Sequence, residues 1–117
     1  MNFKNINRIT GWVIFLIASL VYLLTIEPTA SFWDCGEFIA TAYKLQVGHP
    51  PGAPLFALIS RLFSMFTGDA YAATMVNVVS ALSSSGTILF LFWSITILGK
   101  KFFARNNEEL GDGNIVA

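Results

Sequence analysis

The hydrophobic pattern of the chain is dominated by two long apolar runs with a mixed segment between them. Residues 10–26 contain no charged side chain, and about 17 to 25 apolar residues suffice to cross the hydrocarbon core of a bilayer. The second run lies within residues 70–98 and is densest at residues 87–98. A helix over all of that run would be about 43 Å long, so it must tilt, protrude or bend near the small residues 83–86. The pattern predicts two spanning helices, over residues 10–26 and 70–99.

A secretory signal peptide is the alternative interpretation of the first run, because Lys4 and Arg8 precede it as a basic n-region would. The apolar run is long, however, and Pro28-Thr29-Ala30 is a poor match to a small-x-small cleavage site. The sequence therefore favours a spanning helix that is retained and that ends before Pro28.

The segment between the spans, residues 27–69, holds two apolar helical stretches that are too short to cross a membrane. The first covers about residues 34–47, where Gly48 suits the position after the last helical turn. The second covers about residues 54–66 and starts at Pro54, which is tolerated in a first helical turn. Apolar segments of 10 to 14 residues are more often interfacial or re-entrant than spanning. The prediction is an all-α integral membrane protein, in which an outward loop with two amphipathic, interfacial helices joins two transmembrane helices.

Two further patterns concern what surrounds these helices. Phe32, Trp33 and Tyr43 are aromatic residues of the kind that anchors a protein at the membrane interface. Small and weakly polar residues recur at helical spacing in the second span, at Ala73, Asn77, Ser80 or Ala81, and Ser84. Such a stripe lets helix backbones approach closely and predicts contact with further transmembrane helices, unless it is merely a run of small residues that a span tolerates.

The charged residues exclude one class of function and predict how the chain is oriented in the membrane. Only 12% of the residues are charged, 55% are hydrophobic and the formal net charge is zero, so no basic field for nucleic acid exists. By the positive-inside rule, residues 1–9 and the tail 100–117 are cytoplasmic, because the basic residues that flank the spans are Lys4, Arg8, Lys100, Lys101 and Arg105. The loop is then extracytoplasmic, and the polar residues 106–114 are expected to form a flexible end or a linker.

Candidate chemistry begins directly after the first span. In a helix that starts near Asp34, residues Glu37, Thr41 and Lys44 share its face, at i+3, i+7 and i+10. A carboxylate pair divides labour: one takes a proton as general base, while the other orients a substrate hydroxyl, holds a divalent cation or shifts the pKa of its partner. The alternative is a capping box, in which Asp34 caps the helix and Glu37 reaches back to the cap. The spacing alone leaves both open.

His49 begins a rigid His-Pro-Pro-Gly-Ala-Pro segment, in which three prolines fix φ and Gly52 accommodates a turn. As the only histidine, His49 has no partners for an imidazole-rich zinc site within the chain. It is either structural or a hydrogen-bonding group for a phosphate or a sugar. Arg61 lies in an apolar helix and either snorkels to the lipid headgroups or binds a lipid phosphate.

The same residues carry a family resemblance. The series from Glu27 to Ala40 has Ser-Phe-Trp-Asp-Cys-Gly-Glu at its centre, and Tyr-Lys-Leu-Gln-Val-Gly-His-Pro-Pro-Gly-Ala-Pro-Leu follows from Tyr43. Residues 5–101 thereby resemble the amino-terminal part of a family of multi-span bacterial membrane proteins, abundant in Bacteroidetes, that was long catalogued as a domain of unknown function. That family is related to a eukaryotic protein O-mannosyltransferase, and both resemble the C-type glycosyltransferase superfamily.

The resemblance implies an enzyme of the bacterial inner membrane that transfers a sugar from a polyprenyl-phosphate lipid to a hydroxyl group of an acceptor polypeptide, with inversion. Asp34 and Glu37 match the acidic motif that this superfamily places in its first outward loop, and Asp34 is the expected general base. Glu37 is expected to orient the acceptor or to hold a cation. The remaining substrate-binding candidates are His49, Lys44, Arg61 and Tyr43.

Two functions of different classes remain open from the sequence. Family members continue through many more helices, so a chain of 117 residues with two spans is expected to be the amino-terminal segment of a glycosyltransferase and inactive alone. The alternative is a non-catalytic two-span membrane subunit, or an inactive fragment, that binds lipid or a partner chain.

Overall fold

The computed structural model describes residues 2–50 and 52–112, with side chains as far as residue 105, and all regular elements in these ranges are helical. The α-helices are α1 Phe3–Leu24, α2 Cys35–Lys44, α3 Pro54–Ser64 and α4 Ala72–Asp112. A 3₁₀ turn over Asp69–Tyr71 leads into α4. By length and composition, α1 and α4 are each able to cross a membrane. The predicted all-α class and the two long apolar helices are confirmed.

α1 and α4 pack against each other in antiparallel directions, and one close contact fixes their crossing. Gly11 in α1 faces Trp93 in α4, so that a Cβ atom at position 11 would lie 2.8 Å from Cε2 of the indole. The indole Nε1 donates a hydrogen bond of 3.2 Å to the carbonyl of Asn7, one turn earlier in α1. The absence of a side chain at Gly11 therefore lets a large aromatic ring lie between the two helices.

α4 runs without a break from Ala72 to Asp112, which at 1.5 Å per residue is about 60 Å. The small residues 83–86 lie inside this helix, and the Ser85 and Thr87 hydroxyls donate to carbonyls one turn back, at 2.9 and 3.0 Å. α4 is therefore longer than a hydrocarbon core is thick, and the predicted bend near residues 83–86 does not break the helix.

The backbone of residues 106–112 also belongs to α4, where the polar composition predicted a flexible tail. Glu and Leu in this stretch are good helix formers, and extending an existing helix costs much less than nucleating a new one. Residues 113 and 114, the end of that predicted tail, lie outside the described residues.

α2 and α3 form a short helical pair that packs against α4. Ala42 of α2 is completely buried, and the rings of Phe38 and Phe56 meet edge to face with their centroids 5.9 Å apart. α3 begins at Pro54, as predicted. α2 ends earlier than predicted, because Leu45 adopts a left-handed conformation and the next amide, that of Gln46, donates to the carbonyl of Thr41 at 2.9 Å.

Candidate functional site

The segment that leads from α1 to the acidic motif is tied to α4 by side chains of that helix. The Asn77 amide nitrogen donates to the carbonyls of Glu27 and Thr29, at 2.8 and 3.1 Å. The Thr74 hydroxyl donates to the carbonyl of Pro28 at 2.8 Å. Asn77, predicted as part of a stripe facing a partner helix, is therefore engaged by the chain's own loop, and these bonds fix the point from which the acidic motif starts.

Asp34 lies at the N-terminus of α2, and its carboxylate is not used as a cap. The Asp34 carbonyl accepts the amide of Phe38 at 3.0 Å, as in the first turn of a helix, but its side chain makes no capping hydrogen bond. The side chain is exposed. Trp33 before it has a φ of 68°, an uncommon conformation for an aromatic residue. The Asp34 carboxylate is therefore free of the capping bond that would have explained it structurally.

Glu37 reaches forward to the loop after α2 and not back to the start of the helix. One carboxylate oxygen accepts the backbone N–H of His49 at 2.8 Å, and the other lies 2.8 Å from the His49 ring Nδ1. Gly48 passes so close that a Cβ atom there would lie 3.1 Å from the same carboxylate. The capping box is therefore not formed. Glu37 instead holds the His49 loop against the face of α2.

The pairing changes the acidity of both groups. The pKa of Glu37 is lowered, first by the hydrogen bond from the His49 backbone and then by the one from its ring. The pKa of His49 is raised, first by its hydrogen bond to Glu37 and then by the negative charge of that carboxylate. The negative charge of Asp34 adds to this rise in the pKa of His49.

A cavity of about 250 Å³ lies between α2, the His49 loop and the start of α3. Its polar side chains include Glu37, Thr41 and His49, while Phe38 and Phe56 contribute apolar walls. The loop closes through a turn in which the Gly52 amide donates to the His49 carbonyl at 2.9 Å, and Gly52 has a φ of 67°. The glycine turn predicted here is confirmed, although Pro51 lies outside the described residues.

Tyr43, Arg61 and Asp69 form a second polar cluster at the other end of α2. The Tyr43 hydroxyl donates to a carboxylate oxygen of Asp69, and the Arg61 guanidinium lies over the Tyr43 ring, 4.9 Å from its centroid. The bond to Asp69 raises the pKa of Tyr43. Sequence reasoning did not include Asp69 among the candidate residues, because it lies 26 positions from Tyr43, with no periodic relation to it.

The candidate residues therefore divide into separate groups. Asp34, Glu37 and His49 come together at the start of α2, whereas Lys44 is an exposed residue of its last turn, about 15 Å further along the helix axis. Phe32 and Trp33 are almost fully exposed, at 97% and 93%. Tyr43, predicted to belong with these two in an interfacial aromatic belt, is instead half-buried in the second cluster.

The divalent cation expected at Glu37 is not supported by this geometry. Among the described residues, no three His, Cys, Asp or Glu side chains come together as a metal site. Both oxygens of Glu37 already accept from His49, so the described residues do not fit such an ion.

Comparison with known proteins places this site in a family. Residues 34–117 match the family described as the protein O-mannosyl-transferase TMEM260 N-terminal domain. The chain belongs to this family. The matched range of the TMEM260 N-terminal domain includes Asp34, Glu37 and His49, and so contains the whole acidic site.

Two curated relatives bear the TMEM260 name. The chain is 29% identical to protein O-mannosyl-transferase tmem260 of Dictyostelium discoideum over 85 residues, which are 73% of this chain and 10% of that protein. It is 32% identical to protein O-mannosyl-transferase TMEM260 of Mus musculus over 82 residues, which are 70% of this chain and 12% of that protein. The chain thus spans about a tenth of the length of these relatives. No solved structure matches it. The predicted relation to an O-mannosyltransferase is confirmed.

Proposed function

We propose that the chain provides the general-base site of a membrane glycosyltransferase, which moves a sugar from a polyprenyl-phosphate donor to a hydroxyl group of an acceptor protein. One observation carries the proposal: the Asp34 carboxylate is exposed and makes no capping bond, while the neighbouring Glu37 is held by His49. Membership of a family named for O-mannosyl transfer supplies the reaction class. We propose serine and threonine as the acceptor residues, because their side chains carry the hydroxyl group that such a transfer needs.

In the proposed reaction, Asp34 takes the proton of the acceptor hydroxyl as that oxygen attacks the anomeric carbon of the sugar. The bond between the anomeric carbon and the lipid phosphate oxygen breaks, and the phosphate leaves with the bonding electron pair. Attack opposite the leaving group inverts the configuration. General-base assistance of this kind accelerates a reaction about 10² to 10⁴-fold.

Glu37 has a positioning role in this scheme. Because both of its oxygens accept from His49, we assign it to holding the loop and not to orienting the acceptor or binding a cation. The raised pKa of His49, caused by that hydrogen bond, keeps a larger fraction of the imidazole positively charged. A charged imidazole at the cavity is suited to stabilise the negative charge that develops on the leaving phosphate.

His49 is a better candidate for the phosphate than the other cations of the loop. Lys44 lies about 15 Å along α2 from Asp34. Arg61 lies against the ring of Tyr43, whose hydroxyl bonds to Asp69. We propose that Lys44 and Arg61 contact the substrate lipid further from the reacting carbon, and that Tyr43 positions Arg61 for this contact.

The membrane arrangement is part of the proposal. We propose that α1 and α4 span the bacterial inner membrane with both chain termini in the cytoplasm, and that the acidic site faces outward. The basic residues at one end of the helix pair support this orientation. α2 and α3 would then lie at the outer interface, since α3 exposes the apolar side chains of Leu55, Leu58 and Leu62.

A second function, that of a non-catalytic subunit which binds lipid or a partner chain, is favoured by the same α3 surface. Leu55, Leu58 and Leu62 recur at helical spacing and are exposed, so they form an apolar face that the described residues leave uncovered. The two functions make opposite predictions for a substitution at Asp34.

Asp34→Asn is the deciding variant. Asparagine is as good an N-cap residue as aspartate, so helix α2 is expected to form normally, but the amide cannot accept the hydroxyl proton. With the substitution made in the full-length context, sugar transfer from a polyprenyl-phosphate donor to an acceptor, measured in membranes with matched protein amounts, is expected to fall by about 10² or more.

Glu27→Gln is the matched control, because Glu27 is also an exposed acid of the outward loop. Among the described residues, its carboxylate accepts a hydrogen bond from the nearby Thr29 hydroxyl, at 2.6 Å. Transfer by this variant is expected to stay close to that of the wild type. If Asp34→Asn also transfers sugar at the wild-type rate, the general-base assignment is wrong and the subunit function is favoured.

A further inference from the structure

A groove at the opposite end of the molecule from the acidic site has no role in the proposed reaction. It encloses about 580 Å³ between the start of α1 and the distal part of α4. Its lining combines an apolar floor, which includes Phe3 and Trp93, with four cationic side chains: Lys4, Arg8, Lys100 and Lys101. The antiparallel packing of α1 and α4 brings cations from both ends of the sequence to one place.

The helix segments nearest to these four cations lack acidic residues. The sequence contains no aspartate or glutamate among residues 1–26 or 70–107. The next acid along α4 is Glu108, seven positions after Lys101 and so about 10 Å further along the axis. The groove therefore carries a concentrated positive charge, which attracts an anionic ligand.

The apolar floor identifies the kind of anion. Lys100 lies with its ammonium group 4.8 Å from the centroid of the Phe3 ring, and Trp93 is anchored by its bond to the Asn7 carbonyl. Below this level the outer surfaces of α1 and α4 are apolar and exposed, at Leu16, Leu20 and Leu91 among others. A ligand that satisfies both parts of the groove has a phosphate at one end and hydrocarbon chains at the other.

We propose that this groove binds the headgroup of an anionic phospholipid, with the phosphate among the four cations and the acyl chains along α1 and α4. Basic pockets between membrane helices are suited to such headgroups. The inference rests on the membrane insertion proposed above. The site is distinct from that of the sugar donor, because about 35 Å of α4 separate Lys100 from Asn77, at the acidic end.

The test measures lipid binding to the purified full chain in a neutral detergent by native mass spectrometry. The probes are phosphatidylglycerol and phosphatidylcholine with identical acyl chains. Each cation close to a headgroup strengthens binding about fivefold, so the double variant Lys4→Gln with Lys100→Gln is expected to bind phosphatidylglycerol about 25-fold more weakly. Phosphatidylcholine binding is expected to change little, which gives the wild type a clear preference for the anionic lipid.

Two matched variants separate a defined groove from a diffuse positive field. Ala104 lines the groove, so Ala104→Phe fills it without altering charge, whereas Arg105→Gln removes a charge one position away from the lining. A defined site predicts that Ala104→Phe loses the preference for phosphatidylglycerol and Arg105→Gln largely keeps it. A diffuse field predicts that Ala104→Phe keeps the preference for phosphatidylglycerol and that Arg105→Gln weakens it. Circular dichroism checks that each variant keeps its helix content. If Ala104→Phe loses helix content, the lipid preference of Lys100→Gln is compared with that of Arg105→Gln, and a defined site predicts the larger loss for Lys100→Gln.

Three results would overturn the proposal: equal affinity for the two lipids, wild-type binding by Ala104→Phe, or full competition by glycerol phosphate. The last would mark a site for a soluble anion that gains nothing from acyl chains. None of these measurements involves sugar transfer, so failure here leaves the assignment of Asp34 standing, and failure of that assignment leaves the lipid site standing.

Discussion

Asp34 and Glu37 are carboxylates three residues apart on one helix, yet hydrogen bonding gives them different chemistry. Glu37 accepts two bonds from His49, and a carboxylate that accepts such bonds holds a proton less readily. Its pKa is lowered for that reason, first through the His49 backbone. Asp34 makes no capping bond. Glu37 is therefore suited to hold the loop, whereas the Asp34 carboxylate stays exposed and is not engaged as a cap.

The bond between Glu37 and His49 is testable by titration of the imidazole. In the wild type, the pKa of His49 is expected above its ordinary value of 6.5, because Glu37 accepts from the ring and carries a negative charge. Glu37→Gln removes that charge and is expected to move the pKa back towards 6.5, as followed by NMR of the ring protons. Asp69→Asn serves as control, since Asp69 bonds to Tyr43. Identical titration curves for wild type and Glu37→Gln would rule out the pairing.

The same pair sets a pH window for the loop. The pKa of His49 is raised by Glu37, so its stabilising contribution is complete below the ordinary value of 6.5 and is lost as pH rises through the raised value. The pKa of Glu37 is lowered by His49, so its contribution is present above 4.5 and is lost as pH falls through the lowered value. Protection of the His49 amide from hydrogen exchange, corrected for intrinsic rates, is expected to be greatest between these limits. A protection that rises steadily above pH 7 would contradict this assignment.

The sequence identified Asp34, Glu37 and His49 because they stand in one short, unusual stretch, and the structure places them together. It left open whether Glu37 turns back to the cap or forward to the loop, since the choice depends on where the loop passes. Asn77 and Asp69 illustrate a further limit. Their partners lie 48 and 26 positions away, and no local pattern signals contacts of that separation.

At the level of helices, the α1–α4 contact depends on the missing side chain of Gly11. A Cβ atom there would meet the Trp93 indole at 2.8 Å, so the ring would have to move and lose its bond to Asn7. Gly11→Ala is expected to lower the free energy of unfolding by about 1 to 3 kcal/mol, the usual cost of overpacking. Thermal unfolding in detergent, followed by circular dichroism, measures the change.

Gly86→Ala is the matched control, because it makes the same substitution within a long helix at a position where a Cβ atom meets nothing within 4 Å. Alanine is favoured over glycine in a helix by about 1 kcal/mol, so this variant is expected to be neutral or more stable. Equal effects at the two glycines would show that helix propensity, and not the Trp93 contact, decides the stability of the pair.

Hydrophobic periodicity predicted the presence of the helices, but it predicted their ends less accurately. Pro54 starts α3 as predicted, since proline has few other places in a helix. α2 ends at Lys44, earlier than the nearby Gly48 indicated, because Leu45 adopts the left-handed conformation. The Thr41 carbonyl and the Glu37 carboxylate then accept bonds from the loop that follows. Tertiary bonds of this kind outweigh local preference at a helix end.

Across the whole molecule, the described acids and the groove cations lie towards opposite ends of the long axis, which extends over 73 Å. The acids whose side chains are described lie at the end where α1 finishes and α4 begins: Glu27, Asp34, Glu37 and Asp69. The opposite end carries the groove cations Lys4, Arg8, Lys100 and Lys101. The two ends are about one hydrocarbon core apart, which is the distribution expected of a helix pair that places its basic end in the cytoplasm.

Cysteine labelling tests that orientation. With Cys35 replaced by serine, a cysteine introduced at Ala70, an exposed residue of the 3₁₀ turn before α4, is expected to react with a membrane-impermeant maleimide in intact spheroplasts. A cysteine introduced at Asn107, beyond the basic residues, is expected to react only after permeabilisation, because the positive-inside rule retains that end in the cytoplasm. Labelling in intact spheroplasts at Asn107 and not at Ala70 would invert the topology and place Asp34 on the cytoplasmic side. Labelling at both positions would mean that α4 does not cross the membrane.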